Sequence, residues 1–316
     1  MKLQKFLILL LALCLAGCSF NGNIGSDKDL PSELVFPVLT ESSQTETAEK
    51  QEETVPPPAI QRPEPMDADF VRVKTYIPDI QVELRYATTN NFTGQKIYDF
   101  SDAYLRYGTV KKLMQVQEEL KQEGLYLKIW DAFRPTAAQF QLWEVYPDPV
   151  YVANPNYGFS SHSRGNTVDI TLVTADGTEL VMPTGFDDFS TLADRDYSDC
   201  TPEAAANARL LEACMEKYGF KPYSGEWWHF SDTQYYDVEK TFEPTEAVVC
   251  YATCDEPISM KAQPNVAAEQ ITAIADAEEL LMVAKCGEFA AIEYRGCLGY
   301  VPLTAIGPAD QTVLQK

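Results

Sequence analysis

Between residues 110 and 215 the apolar positions change period in a way that predicts alternating kinds of element. Val110, Leu113, Met114 and Leu120 fall at helical spacing, and Gly124 supplies a stop. Directly afterwards Leu125, Leu127 and Ile129 alternate with Tyr126, Lys128 and Trp130, the period-two signature of a half-buried strand. Val168, Ile170 and Leu172 alternate with Thr167, Asp169 and Thr171, a second strand with a polar face. A further helix is framed at both ends. Thr201 is placed to cap it, Pro202 occupies its first position, Leu210, Leu211, Cys214 and Met215 form its stripe, and Gly219 ends it. Helices and strands do not alternate regularly along residues 70–242, which predicts an α+β fold rather than a doubly wound sheet.

After Pro244 the pattern shortens to strands at Ala247–Tyr251, Leu280–Ala284, Phe289–Tyr294 and Leu298–Pro302, with a tight turn at Arg295-Gly296. This spacing predicts a small β-barrel. Glu288-Phe289-Ala290-Ala291-Ile292 and Gly299-Tyr300-Val301-Pro302 make the stretch similar to bacterial SH3-like domains. It departs from them where Lys261-Ala262-Gln263-Pro264 stands for the usual Arg-Ser-Gly-Pro.

The N-terminus follows neither pattern. Lys2 and Lys5 precede an apolar run from Phe6 to Leu13, too short to span a bilayer, which ends in Leu15-Ala16-Gly17-Cys18. That ending resembles the lipobox of bacterial lipoproteins. The resemblance implies a signal peptide at 1–17, lipid on Cys18, and a chain exported and anchored to the outer side of a membrane. Residues 18–65 are acidic and proline-rich, with Pro56-Pro57-Pro58 and Arg62-Pro63-Glu64-Pro65, and read as an extended, disordered spacer. A larger folded region at 66–243 and an SH3-like region at 244–316 complete the expected division.

Charge narrows the partners. The 316 residues carry 47 Asp+Glu against 25 Lys+Arg, a net −22, so the chain has no long-range attraction for nucleic acid. Besides Cys14 and Cys18 there are six cysteines, at 200, 214, 250, 254, 286 and 297, an even number that suggests disulfides in an exported protein. The Cys-x3-Cys spacing of Cys250 and Cys254, with no histidine near, is a poor zinc site.

The chemistry gathers around the only two histidines. His162 lies in Ser160-Ser161-His162-Ser163-Arg164-Gly165-Asn166-Thr167-Val168-Asp169, and His229 in Gly225-Glu226-Trp227-Trp228-His229-Phe230. A catalytic zinc typically takes three His or carboxylate ligands and keeps one position open. His162, Asp169 and His229 would supply that set. Glu226 and His229 are three apart and would face opposite ways on a regular strand, but Gly225 permits a turn that brings Glu226 back to the site.

Ser-x-His-x6-Asp followed by Glu-x-x-His resembles the zinc D-Ala-D-Ala dipeptidases of the vancomycin-resistance type and their D,D-carboxypeptidase relatives. Leu84-Arg85-Tyr86-Ala87-Thr88, Asn91-Phe92-Thr93-Gly94, Asp131-Ala132-Phe133-Arg134-Pro135 and Ser160–Gly165 extend the likeness in family order. The resemblance implies an antiparallel sheet with flanking helices bearing one zinc on His162, Asp169 and His229. Glu226 would be the general base and Arg134 the oxyanion stabiliser. Tyr86, Ser160 and an acid from Asp187-Asp188 would hold the dipeptide. A carboxypeptidase acting on peptidoglycan stem peptides and a non-catalytic wall-binding lipoprotein are the competing readings. Because every candidate residue precedes Phe230, the C-terminal region is expected to be dispensable for hydrolysis.

Overall fold

In the computed structural model, which describes residue 60 and residues 62–149 and 151–308, the chain opens with β1 (Phe70–Arg72), α1 (Val73–Tyr76), β2 (Gln81–Val82) and β3 (Tyr104–Arg106). It continues through α2 (Tyr107–Gln122), β4 (Leu125–Asp131), α3 (Thr136–Val145), β5 (Thr167–Thr174), α4 (Pro202–Lys217), β6 (Phe220–Tyr223) and β7 (Glu226–Asp232). Seven strands follow: β8 (Phe242–Ala252), β9 (Ile258–Lys261), β10 (Gln270–Ile274), β11 (Glu279–Cys286), β12 (Phe289–Tyr294), β13 (Cys297–Pro302) and β14 (Ile306–Pro308). Cys18, the signal segment and nearly all of the 18–65 spacer lie outside the described residues.

Five strands in the order β2-β4-β5-β7-β6 form the sheet that carries the candidate site. Its pairings are antiparallel except for the short parallel edge β2–β4. Helices α2 and α4 pack on it, α2 against β4 and α4 against β5, β6 and β7. The caps work as their sequence predicts: the Thr201 side chain accepts from Ala204 N at 3.2 Å, and Pro202 opens α4. The stripe of α4 is narrower than expected, since Leu211, Cys214 and Met215 are buried while Leu210 is 39% exposed.

The second face of the sheet differs more from expectation. Lys128 and Trp130 on β4 are buried, as are Thr167, Asp169 and Thr171 on β5. The covering layer includes the segment beyond β5. Glu179 takes Lys128 Nζ at 3.1 Å and Trp130 Nε1 at 3.3 Å, while Phe186 and Trp227 pack on the Trp130 ring at 5.7 and 5.6 Å. A buried lysine is tolerated there because it is paired. The same layer brings Asp187 over the sheet.

The C-terminal strands make a seven-stranded antiparallel sheet, ordered β10-β9-β13-β12-β11-β8-β14. Among the described residues no pairing joins β10 to β14, so the expected barrel is an open sheet here. Arg295 and Gly296 adopt φ of 49° and 74° in the β12–β13 turn, the left-handed pair that a two-residue hairpin needs. The two regions share a core. Phe70, Tyr104 and Phe133 pack with Phe242, Val283, Ala284 and Tyr300, and the Phe70 and Phe242 rings stack at 4.5 Å. The dispensability expected of the C-terminal region is therefore not supported by the packing, because its removal uncovers these aromatics.

The expected disulfides are absent: all six cysteines are free thiols. Cys200 and Cys214 belong to the core of the first region (Cys214 Sγ to Val116 O, 3.9 Å), Cys250, Cys254 and Cys297 to the C-terminal core, and Cys286 to the shared core.

Gly165, at φ 75°, ends the turn that carries His162, and a Cβ there would stand 2.5 Å from Phe70 Cε1. Gly165→Ala is expected to lower stability by at least about 1–3 kcal/mol, the scale of a strained left-handed residue. Denaturant unfolding checks this, and a stability loss below the measurement error would show that the turn can relax.

Candidate metal centre and catalytic site

Strand pairing assembles one edge of the site. Asp169 on β5 lies opposite His229 on β7 and opposite Asp131 on β4. The register slips at Trp130, and this irregularity brings Asp131 into line with Asp169. His162 arrives from outside the sheet, on the short Ser161–Arg164 turn, whose preceding Ser160 accepts from His162 N at 3.4 Å.

The rings are oriented by their outer nitrogens. His162 Nδ1 donates to Ala132 O at 2.8 Å, so in the neutral ring Nε2, 3.3 Å from Asp169 Oδ2, is the nitrogen that offers a lone pair. His229 Nδ1 lies 3.0 Å from Asp169 Oδ1, and its Nε2 lies 3.4 Å from Ser161 Oγ. One donor atom from each of His162, Asp169 and His229 falls within 4.8 Å of the others. Burial pushes the Asp169 carboxyl up, but the two imidazoles outweigh it and hold it well below the usual carboxylate range. Burial likewise opposes a charge on His162, yet Asp169 and Asp131 raise its pKa overall. Two imidazoles turned onto one buried carboxylate give the nitrogen–oxygen donor set that suits zinc, so the residues present fit that ion.

Glu226 reaches the same face, with Oε2 3.5 Å from His229 Nδ1. Ser224 and Gly225 form the expected turn directly before β7, and an irregularity in the β6–β7 pairing adds to it. Pro222 pairs with Phe230 while the next residue, Tyr223, pairs with Glu226, so β7 carries extra residues between these two partners. This bulge turns Glu226 and His229 to one side. Burial raises the Glu226 pKa, with the charge on Asp169 adding to it, in the direction a general base working near neutrality requires.

Arg134 is buried and held from two sides. Its Nη2 and Nε lie 2.7 and 3.2 Å from Asp131 Oδ2, and Nη1 donates to Gln139 Oε1 at 3.2 Å. Asp131 is itself fixed by Tyr98 OH at 2.8 Å and Ala132 N at 2.9 Å. The guanidinium carbon stands 5.1 Å from the Tyr86 ring centroid. Tyr98 and Gln139 were invisible in the sequence, since neither belongs to a spaced motif. Asp131 was visible only as the first residue of Asp-x-x-Arg.

Tyr86 OH donates to Asp187 Oδ2 at 2.7 Å, and Asp187 takes a φ of 54° to point inward. Burial, with Asp169 adding to it, pushes the Asp187 carboxyl well above its ordinary range. Asp188 is placed elsewhere: its Oδ1 accepts from Ser190 N at 2.9 Å, and it does not line the cavity. Every other candidate residue of this region, Ser160 included, lines one cavity of about 320 Å³. Phe92, Leu142, Tyr151, Val152 and Phe189 supply its apolar wall. That volume sits at the lower end of small-molecule sites.

A family model described as D-Ala-D-Ala dipeptidase, of the M15 peptidases, matches residues 66–247. The chain is 38% identical over 162 residues to the D-alanyl-D-alanine dipeptidase of Escherichia coli, covering 51% of this chain and 83% of that one. It is 30% identical to the enzyme of that name from Enterococcus faecium, over 52% of this chain and 92% of the relative. The counterpart from Streptomyces coelicolor is 32% identical over the same shares. A solved structure, VanYB in complex with D-alanine-D-alanine, aligns with 16% identity over 49% of this chain and 78% of its own, at a TM-score of 0.29. Family match and donor set agree, and the chain belongs to the M15 peptidase family of D-Ala-D-Ala dipeptidases, as a zinc-dependent metallopeptidase.

Proposed function

We propose that the protein hydrolyses the free D-Ala-D-Ala dipeptide. The observation that carries this reading is the Tyr86–Asp187 pair, a buried carboxylate aimed into a small cavity that also holds the metal donors and Glu226. Asp187 would take the substrate's ammonium, which offsets the cost of keeping a carboxylate buried there. Held by His162, Asp169 and His229, zinc would supply Lewis acidity and lower the pKa of water. Glu226 takes the proton of the attacking water and passes it to the departing amine. Arg134, already oriented by Asp131 and Gln139, faces the carbonyl oxygen as negative charge develops there. Ser160 lines the cavity beside His162, where its hydroxyl can meet the substrate.

The test offers zinc-loaded protein both D-Ala-D-Ala and a pentapeptide stem ending in the same bond. Release of D-alanine from the dipeptide, with little from the pentapeptide, is expected. The opposite preference moves the assignment to a D,D-carboxypeptidase, and no turnover of either with zinc bound leaves a wall-binding lipoprotein.

The surrounding segments are part of this reading. The lipobox at Leu15–Cys18 supports lipid attachment at Cys18 and a place on the outer side of a bacterial membrane. The Glu288–Ile292 and Gly299–Pro302 motifs support an SH3-like role for residues 244–316 in holding the enzyme near the wall.

A further inference from the structure

A second cavity, of about 530 Å³, lies where the peptidase region meets the C-terminal sheet, and it shares no lining residue with the catalytic one. Its floor is apolar, with Ile97, Phe100, Ala138 and Pro244 all buried. Its rim carries both signs of charge, Lys96 and Lys285 with Asp99 and Glu243, all exposed. Glu243 and Lys285 sit directly opposite each other on β8 and β11, yet neither they nor Lys96 and Asp99 form a side-chain ion pair among the described residues. Two more groups in the wall lack partners. Thr245 Oγ1 is buried without a hydrogen bond among the described residues. The first turn of α3, which lines the cavity at Ala137 and Ala138, has neither a side-chain cap nor an acidic residue.

We propose that this cavity is a binding site for a short zwitterionic peptide, separate from the catalytic centre. Uncapped amides at a helix start together with lysines favour a carboxylate. A simple anion would also meet Asp99 and Glu243 in a chain of net charge −22, and a simple cation would leave the amides and lysines unmatched. A ligand bearing both charges satisfies both sets, and an aliphatic body fits the floor. The volume lies within the roughly 300–1,000 Å³ of sites that enclose small ligands. The site stands whichever substrate the catalytic cavity takes.

The experiment titrates full-length, zinc-loaded protein with the tripeptide L-Ala-γ-D-Glu-L-Lys by calorimetry. This probe carries both charges and lacks a D-Ala-D-Ala bond, so turnover does not interfere. Saturable binding is expected, weakened at least tenfold in a Lys96→Ala/Lys285→Ala variant that hydrolyses D-Ala-D-Ala at the parent rate. Glu226→Ala should bind the probe as the parent does. The proposal is overturned by absence of saturable binding, or by unchanged affinity in the double lysine variant. Loss of binding in Glu226→Ala would place the probe in the catalytic cavity and overturn it too. Inorganic phosphate binding as tightly as the tripeptide would replace the zwitterion with a simple anion and reject the ligand class.

Discussion

Glu226→Ala is expected to lower kcat for D-Ala-D-Ala by roughly a hundred- to ten-thousandfold, the range for loss of a general base, while the protein keeps one zinc. Three donors are complete without it, because His162 and His229 already meet on Asp169 at 3.3 and 3.0 Å. Glu226 stands beside them, 3.5 Å from His229, with a pKa raised mainly by burial, so it can hold a proton that a fully solvated glutamate would release. Metal analysis and steady-state kinetics on the same preparation separate the roles. Loss of zinc together with activity would make Glu226 a ligand, and near-parental kcat would remove it from the reaction altogether.

N-acetylation of the dipeptide is expected to reduce kcat/KM by roughly a thousandfold or more, since a site built to hydrogen-bond the ammonium loses that charged partner and keeps an unmatched buried carboxyl group. The free ammonium is the natural partner of Asp187, whose carboxyl burial pushes well above its ordinary range and which among the described residues accepts a side-chain hydrogen bond from the Tyr86 hydroxyl alone. An acetyl group removes the charge and adds bulk in a cavity of about 320 Å³. Asp187→Asn should narrow the gap, mostly by harming the free dipeptide. Asp188→Asn should leave it unchanged, because Asp188 caps its own loop at Ser190. Comparable kcat/KM for the free and acetylated dipeptides in the parent protein would reject the ammonium site.

The parts of this molecule legible in sequence are those where one local period sets the outcome. Helices α2 and α4 and strands β4 and β5 follow from spacing and caps, and the His162, Asp169 and His229 set follows from motif. Two features stayed hidden because they depend on partners distant in the chain. Burial of Lys128 and Thr171 requires the layer that returns after β5, which no alternation within β4 or β5 announces. The bulge that turns Glu226 toward His229 is a property of β6 and β7 together, and the sequence of β7 alone points the two apart. Short strands such as β9, β10 and β14 have too few residues for a period. Even cysteine number misled for a related reason: parity says nothing about which thiols meet.

Phe133 belongs to the shared aromatic core, while its neighbours in the chain, Ala132 and Arg134, serve the site. Ala132 O fixes the His162 tautomer, so the backbone that sets one zinc ligand is braced by rings and strands from beyond residue 241. Folding of the two regions is then cooperative rather than modular. Substitutions of the buried C-terminal members of that core, Phe242 or Tyr300, far from any catalytic group, would surface as weakened metal affinity, and an organism could not shed that sheet without retuning the enzyme it supports.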